Sequence, residues 1–260
     1  MQPATGLSGQ FEVLSALIQR EIKTRFGRQQ LGYLWALIGP MLWIGTIVGM
    51  FYLLDRSAPS GMDTVSFIAT GLIPYNLFKE TNARAASAIG ANKGLLFYPQ
   101  IQPLDLVVAR AVLEFATLFS VFGVITLIAS MWQGTWPHVA DWLNFLFGFV
   151  AAAALGASLG LVLMGLMVFT PAIERLYGVV LRPLFWVSGV FYTANSLPPF
   201  VRELMLYNPV LHIVEFVRSG WFVTYRAQYA SVSYVCVWIV SLAFVGLLIE
   251  RAARRHLELA

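Results

Sequence analysis

The sequence predicts an all-α membrane protein with six transmembrane helices, and its composition, its charge-free runs and its charge placement all favour this fold class. Hydrophobic residues make up 58% of the 260 residues and charged residues only 12%. A soluble domain of this length carries about a quarter charged residues, because polar groups must coat its surface. The 14% of aromatic residues and the 21 glycines are typical of helices packed in lipid.

Six apolar stretches are predicted to cross the membrane, because a spanning helix needs about 20 mostly apolar residues. The second is charge-free only over Thr64–Phe78. With the short segments between them, the six form one unit over residues 31–260, and residues 1–30 belong to the same domain. The predicted spans are Leu34–Leu54, Thr64–Ala83, Leu106–Met131, Trp142–Phe169, Tyr177–Tyr192 and Ala227–Ile249.

The N-terminal segment Ser8–Arg28 is predicted to be an amphipathic helix that lies in the membrane interface. Its apolar residues recur at helical spacing along one face, and its basic residues lie off that stripe. The alternative is a surface helix packed on a protein partner, and one helix could serve both roles. The apolar stripe comprises Phe11, Leu14, Leu17, Ile18, Ile22 and Phe26, and the basic residues are Arg20, Lys23, Arg25 and Arg28.

Between the fifth and sixth spans, Ser196–Tyr225 is strongly apolar but is broken by Pro198-Pro199 and Asn208-Pro209. Proline starts a helix well, and the residue before proline tends to end one. The pieces are too short to cross, so two short re-entrant helices are predicted. Such elements survive at membrane depth only when protein or a cavity surrounds them. The alternative is a pair of amphipathic helices on the outer surface.

The distribution of basic residues predicts that both termini are cytoplasmic. With the N-terminus inside, only Arg56, Arg202, Arg218 and Arg226 of the 17 Lys and Arg residues fall on the outer side. Cytoplasmic segments of membrane proteins carry an excess of Lys and Arg. The same bias explains the net charge of +4 better than nucleic-acid binding does.

Catalytic motifs are missing from the sequence, which has no G-x-x-x-x-G-K-[ST] loop, no H-E-x-x-H and no G-x-S-x-G. Cys236 is the single cysteine and the three histidines are far apart, so no metal site is expected. Arg110 and Glu114, one helical turn apart near the start of the third span, are expected to form a structural ion pair. The alternative role for Glu114 is proton relay, because charges inside a membrane are costly and often functional.

Two other features invite a functional interpretation. The cytoplasmic segment Arg84–Asp105 is long for a connector, and a short helix over Ala85–Ala91 could dock on a soluble partner. The alternative is that the segment is only a connector. Aromatic residues crowd the fifth span and the region after it, either as an interfacial belt or as a stacking surface for sugar rings. Two G-x-x-x-G spacings, Gly45/Gly49 and Gly156/Gly160, permit close helix contact.

Several motifs, taken in order, resemble the permease subunit of ABC-2 type exporters of polysaccharide. The likeness covers nearly the whole chain and depends on the order and spacing of its motifs. These are Arg25-Phe-Gly-Arg28, Leu31-Gly-Tyr-Leu-Trp35 with Pro40, Phe67-Ile-Ala-Thr-Gly71-Leu-Ile-Pro74-Tyr75-Asn76, Pro103-Leu-Asp105 with Arg110, Arg182-Pro183-Leu-Phe-Trp186-Val-Ser-Gly189-Val-Phe-Tyr192, Leu197-Pro198 and Tyr207-Asn208-Pro209.

The resemblance implies a permease that exports lipid-linked capsular polysaccharide across the bacterial inner membrane. It implies a second copy of the chain around a channel, and two ABC ATPase subunits that bind ATP and Mg while this chain binds no cofactor. It also implies a periplasmic co-polymerase-type adaptor and an outer-membrane channel as partners. The residues it suggests are Trp35, Trp43, Trp186 and Tyr192 for the substrate path, Arg84, Asn92 and Lys93 for ATPase coupling and the cytoplasmic gate, and Pro198, Asn208 and Pro209 for the periplasmic gate.

Two other functions stay open on the sequence. An intramembrane transferase acting on lipid-linked sugar would need an acid–base constellation that the motif search does not find. A non-transporting anchor that recruits a soluble complex would tolerate changes at Trp186 and in Pro198–Tyr225 without loss of export.

Overall fold

The computed structural model describes residues 7–26, 32–95, 101–134, 136–170 and 172–259, and all regular structure in these ranges is helical. This confirms the all-α prediction. Short 3₁₀ turns lie at Pro59–Gly61, Lys93–Leu95 and Ala194–Ser196. The α-helices in the described ranges are α1 Leu7–Phe26, α2 Gly32–Leu53, α3 Thr64–Ala86, α4 Ala88–Ala91, α5 Pro103–Gln133, α6 Trp142–Phe169, α7 Ile173–Val187, α8 Pro199–Met205, α9 Pro209–Trp221 and α10 Val232–Leu259.

Polar caps fix where the long helices begin. The Asp63 carboxylate accepts a hydrogen bond from the Ser66 backbone N–H at 2.9 Å, and Asp141 accepts one from Leu143 N–H at 2.9 Å. These side chains satisfy donors that the first turn of a helix leaves unpaired. Prediction and structure therefore agree on both ends of Trp142–Phe169, where an aspartate cap precedes a long apolar run.

Helix α3 is the centre of the bundle, although it is less apolar than its neighbours. It packs against α2, α5, α6 and α9, and Phe67, Ile68, Leu72, Ile73 and Leu77 are all fully buried. Its charged residues lie in the last two turns, beyond this apolar centre. The prediction Thr64–Ala83 is confirmed as a helix, which continues to Ala86.

The two G-x-x-x-G spacings behave differently. A Cβ at Gly160 would lie 2.8 Å from the Asn82 carbonyl oxygen, and one at Gly156 would lie 3.0 Å from Thr81 Cβ. These glycines therefore allow α6 to pack directly on the backbone of α3. A methyl group at Gly45 or Gly49 would meet no atom of the described residues within 4 Å.

Three helices of the described chain are long and apolar enough to cross a membrane: Pro103–Gln133, Trp142–Phe169 and Val232–Arg254. The apolar part of α2 is shorter, at Leu37–Leu53. Helix α7 has only 15 residues, or about 22 Å at 1.5 Å per residue. The prediction that one helix covers Tyr177–Tyr192 is wrong at its end, because the chain leaves the helix at Ser188 and Gly189 adopts φ 74°.

The proline-broken segment forms two short helices, and their environments differ. None of the residues of α8 is buried, whereas every residue of α9 from Val210 to Arg218 is buried. Helix α9 packs mainly against α6 and α3. The Asn208 side chain caps it by accepting from Val210 N–H at 3.0 Å.

Candidate functional site

At one end of the bundle, charged side chains of α1 are bound to α5 and to the residue that ends α4, and α3 joins them through Arg84. We call this cluster the α1 junction; within it, Arg20 donates to the Asn92 side-chain oxygen at 2.8 Å. The Arg110 Nε lies 3.1 Å from a Glu21 carboxylate oxygen. The members of the junction are Arg20, Glu21 and Arg25 on α1, Arg84 on α3, Asn92 after α4, and Arg110 and Glu114 on α5.

Glu114 is the central acceptor of the α1 junction. Its side chain is 3% exposed, so solvent does little to screen its charge. It forms an ion pair with Arg25 and lies 3.6 Å from Arg84 Nε. One buried carboxylate thus links α1, α3 and α5.

The predicted ion pair between Arg110 and Glu114 is wrong. In the described chain Arg110 pairs with Glu21 and donates to the Arg84 carbonyl oxygen at 2.6 Å, while Glu114 pairs with Arg25 and Arg84. Helical spacing made the pair possible, but α1 offers a second partner to each residue. Sequence reasoning missed Glu21, whose position among the basic residues of an amphipathic helix was the available signal.

Apolar contacts support the α1 junction from the side of the bundle. Leu17 on α1 is 6% exposed. It belongs to a buried cluster with residues of α3–α6, namely Ala85, Ala88, Ile89, Leu106, Val107, Ala109, Leu161 and Met164. The apolar stripe of the predicted amphipathic helix therefore faces protein in part, which favours the dual role considered for that helix.

The predicted coupling residues occupy the turn that leaves the bundle beside α1. Arg84 lies in the last turn of α3, and Asn92 ends α4 with its amide donating to the Ala88 carbonyl oxygen at 3.0 Å. Lys93 begins a 3₁₀ turn. The Lys93 side chain, together with Arg28 and Leu31 of the predicted motifs, lies outside the described residues.

Trp43 and Trp186 line a groove between α2, α3 and α7 with a volume of about 420 Å³. We call it the aromatic groove. Phe185 lies between two of its rings, with centroids 5.2 Å from Tyr75 and 5.4 Å from Trp186. The other lining residues are Asn76, Lys79, Tyr177, Gly178, Leu181 and Arg182.

The aromatic groove continues towards the α1 junction. A second groove of about 460 Å³ shares Trp43, Asn76 and Lys79 with it and reaches Arg25 and Glu114. A path lined first by ring faces and then by charged groups therefore runs along α2 and α3. Ring faces can stack on apolar surfaces of a ligand, while Lys79 and Arg182 can bind acidic groups on it.

Trp35 and Tyr192, the other predicted substrate-path residues, do not line the aromatic groove. Trp35 is exposed on α2 at 60%. The Tyr192 hydroxyl is buried, and its carbonyl oxygen accepts a hydrogen bond from Arg218. Their part in a substrate path stays a prediction.

A buried charged cluster at the far end from α1 holds the turn after α7. Arg218 is fully buried and donates to the carbonyl oxygens of Tyr192 at 2.6 Å and Val190 at 2.9 Å. The guanidinium carbon lies 4.3 Å from the centre of the Phe67 ring. We call these contacts, with Glu215, the Arg218 latch.

Glu215 completes the latch by balancing the buried charge of Arg218. Its carboxylate lies 3.7 Å from Arg218 Nη1 and accepts from Ala194 N–H at 3.2 Å and from the Tyr225 hydroxyl. Burial, followed by the nearby Glu215 charge, raises the pKa of Tyr225, so the phenol stays protonated as a donor. Sequence reasoning treated Arg218 only as an outer-side charge; the signal it missed was the i, i+3 spacing of Glu215 and Arg218 in an apolar helix.

The predicted gate residues lie around this latch. Asn208 donates to the Val187 carbonyl oxygen at 3.1 Å and to Ser188 Oγ at 3.0 Å, so it ties the start of α9 to the end of α7. Pro209 is the first residue of α9, whereas Pro198 is exposed. His212 has a structural role, because one ring nitrogen contacts the Leu206 carbonyl oxygen and the other accepts from Ser231 N–H.

A bundle with strongly apolar helices, an amphipathic helix bound across one end and broken helices at the other is that of an α-helical integral membrane protein. The family model described as ABC-2 type transporter matches residues 12–222. The chain belongs to this family.

Curated relatives match the chain over nearly its whole length. It is 31% identical over 249 residues to the polysialic acid transport protein KpsM of Escherichia coli, covering 95% of each chain. It is 30% identical to the capsule polysaccharide export inner-membrane protein CtrC of Neisseria meningitidis serogroup B, covering 93% of this chain and 91% of that one. It is 27% identical to the export protein BexB of Haemophilus influenzae, covering 97% and 95% respectively.

Proposed function

We propose that this chain is the inner-membrane permease subunit of an ABC transporter that exports lipid-linked capsular polysaccharide. The observation that carries the proposal is the relationship, over nearly the whole chain, to proteins whose names state capsule polysaccharide export or polysialic acid transport. The aromatic groove adds a surface that suits a sugar chain.

The proposed topology has six spans with both termini in the cytoplasm. Helices α5, α6 and α10 are long and apolar enough to cross on their own. Helices α2 and α3 cross beside them, and α7 crosses together with the turn that follows it. In this topology, which the positive-inside count supports, the α1 junction lies at the cytoplasmic face and the Arg218 latch at the periplasmic face.

The proposed substrate path includes the aromatic groove. A glycan carries C–H faces that pack on rings and hydroxyl or acidic groups that need polar partners. Trp43 and Trp186 are 52% and 64% exposed, so their ring faces are open to a ligand. Lys79 and Arg182 then meet acidic groups of the polymer.

The proposed motor is a pair of ABC ATPase subunits that bind ATP and Mg, with this chain binding no cofactor. They would dock beside α4 and Lys93–Leu95, where Asn92 connects the turn to α1 and Arg84 connects the end of α3 to Glu114 on α5. A displacement of this turn would be transmitted through Arg84 to Glu114, which also lines the second groove. The proposed periplasmic gate is formed by α8 and α9. In this proposal α9 enters the membrane as a re-entrant helix packed against α3 and α6.

The proposed assembly contains two copies of the chain around one channel. The open surface at Gly45 and Gly49 on α2 supports this, because small residues allow helices of two copies to approach closely. A periplasmic adaptor and an outer-membrane channel complete the proposed export system.

Replacement of the groove tryptophans in the bacterium that makes this chain tests the proposal. Trp43→Ala and Trp186→Ala should each lower surface capsule about fivefold, since truncating an aromatic side chain that contacts a ligand costs about 1 kcal/mol or more. Lipid-linked polysaccharide should accumulate inside the cell. Trp136→Ala, at a loop tryptophan that is 90% exposed, is the matched control.

Deletion of the gene tests export itself. The deletion should abolish surface polysaccharide while its synthesis continues inside, and the intact gene should restore it. Normal capsule in the deletion strain would refute the export function. If both tryptophan variants make normal capsule while the deletion strain makes none, only the role of the aromatic groove in the substrate path is refuted.

A further inference from the structure

Helix α10 has one face on protein and another open to its surroundings. A Cβ on Gly246 would contact Leu161 of α6 at 2.9 Å, and the next turn carries the buried Glu250 and Ala253. Only 11% of the apolar window of α10 is buried inside the described chain. The other face is therefore available to lipid or to a partner.

A groove of about 670 Å³ lies on this open side, between α10 and the start of α5. Its apolar wall is formed by Phe244, Leu247 and Leu248, and its polar wall by Gln102, Glu250, Arg251 and Arg254. Phe244, Leu248 and Arg251 follow one another at i, i+4 and i+7 on one helix face. From Phe244 to Arg251 the helix rises about 10 Å, so apolar and cationic surfaces are stacked along its axis.

The charge of the polar wall is positive. Arg254 Nε and Nη2 donate to one Glu250 oxygen at 3.1 Å and 2.7 Å, which leaves Arg254 Nη1 for another acceptor. Arg251 is exposed and forms no ion pair with any described residue. Asp105 of α5 accepts a hydrogen bond from Gln102 N–H at 2.9 Å and is not one of the residues that line the groove. Among the lining residues, two guanidinium groups and one carboxylate leave a net positive charge.

We propose that this groove binds one anionic phospholipid, with its phosphate at Arg251 and Arg254 and an acyl chain along Phe244, Leu247 and Leu248. Charge complementarity selects an anion, and the adjoining apolar wall selects an anion that carries a hydrocarbon chain. A second copy of the protein or an acidic partner could pair with Arg251 and Arg254, but it would not require an apolar wall next to them along the helix axis. The inference depends on the membrane location of α10 and not on what the chain exports.

Native mass spectrometry of the full chain in detergent, titrated with phosphatidylglycerol and with phosphatidylcholine, tests this inference. The first phosphatidylglycerol should bind more tightly than phosphatidylcholine. Arg251→Gln should weaken it about fivefold, because each basic group contributes about 1 kcal/mol to binding an anionic lipid. This change keeps the Glu250–Arg254 pair, so the helix end stays folded. Arg226→Gln, at an exposed basic residue before α10, should leave binding unchanged.

Three results would overturn the inference. Equal affinity for the two lipids would show that lipid charge does not contribute to binding. An equal loss of phosphatidylglycerol affinity in Arg251→Gln and Arg226→Gln would show that the lipid does not bind in this groove. Binding of glycerol 3-phosphate as tight as that of phosphatidylglycerol would make the groove a site for soluble anions. Leu248→Asn should weaken phosphatidylglycerol binding and leave glycerol 3-phosphate binding unchanged, which checks the acyl-chain wall separately.

Discussion

Arg218 shows how a charged side chain can be structural in an apolar helix. Its guanidinium fork binds two carbonyl oxygens of the turn after α7, and Glu215 balances its charge. Arginine suits this task because its donors are planar, rigid and permanently charged. The turn leaves those carbonyl groups without helical partners, so Arg218 replaces the hydrogen bonds that the helix would have supplied.

Arg218→Met should destabilise the protein by about 3–5 kcal/mol, because it leaves Glu215 and two carbonyl groups buried without their partner. Unfolding by SDS in mixed micelles measures the loss. Arg226→Met is the matched control, since that arginine is exposed in the same outer region, and it should change stability by less than about 0.5 kcal/mol. Equal losses in the two variants would show that the latch contributes little.

Sequence reasoning predicted helices well where local signals decide, and poorly where distant partners decide. The aspartate cap and the long apolar run at Trp142–Phe169 define that helix from its own residues. The partner of Arg110 could not be predicted this way, because Glu21 lies on α1, far away in sequence. The end of α7 was missed because the apolar sequence continues through Val190 and Tyr192, which favours continuation of the helix. The contact that stabilises the turn comes from Arg218 on α9, and the local sequence does not reveal it.

The contact between α3 and α6 depends on glycines that allow backbone approach. Gly160→Ala should cost about 1–3 kcal/mol, because its methyl group would contact Ala85 and the Asn82 carbonyl oxygen and would force the helices apart. Gly123→Ala on α5 meets no described atom within 4 Å, and it should be neutral or stabilise by up to about 1 kcal/mol. Thermal unfolding of both variants in the same detergent compares them, and equal midpoints would contradict this account of the packing.

The attachment of α1 to the bundle is expected to depend on the pairing of opposite charges. Arg110→Glu should loosen α1, because Glu21 and the new carboxylate would repel each other across a 3.1 Å contact. Limited trypsin cleavage after Lys23, a site that both variants keep, should then become faster. The double variant Glu21→Arg with Arg110→Glu should restore part of the protection. Recovery is only partial, since Arg110 also donates to the Arg84 carbonyl oxygen. Cleavage of the double variant as fast as that of Arg110→Glu would contradict a direct pair.

The molecule as a whole has a path that connects its two ends through α3. The helix ends at the α1 junction through Arg84, its middle lines the aromatic groove through Tyr75, Asn76 and Lys79, and its first turns contact the Arg218 latch through Phe67. A displacement at the turn after α3 can therefore reach both the aromatic groove and the turn after α7 by movement of one buried helix. In the proposed transporter, this connection would be a physical basis for transmitting work from the ATPase to the polymer.

Charge reversal at the α1 junction should separate ATP hydrolysis from export. Arg84→Glu places a second carboxylate beside Glu114, so the end of α3 should move away from α1 and α5. The transporter reconstituted with its ATPase should continue to hydrolyse ATP while glycan export falls, and Lys93→Glu should act similarly at the proposed docking turn. Arg175→Glu, at an exposed basic residue in the first turn of α7, should leave the ratio of export to hydrolysis unchanged. Because hydrolysis and export are measured on the same vesicles, a variant that fails to fold loses both activities and is distinguished from an uncoupled one. Unchanged export in Arg84→Glu and Lys93→Glu would remove this end of α3 from the coupling path.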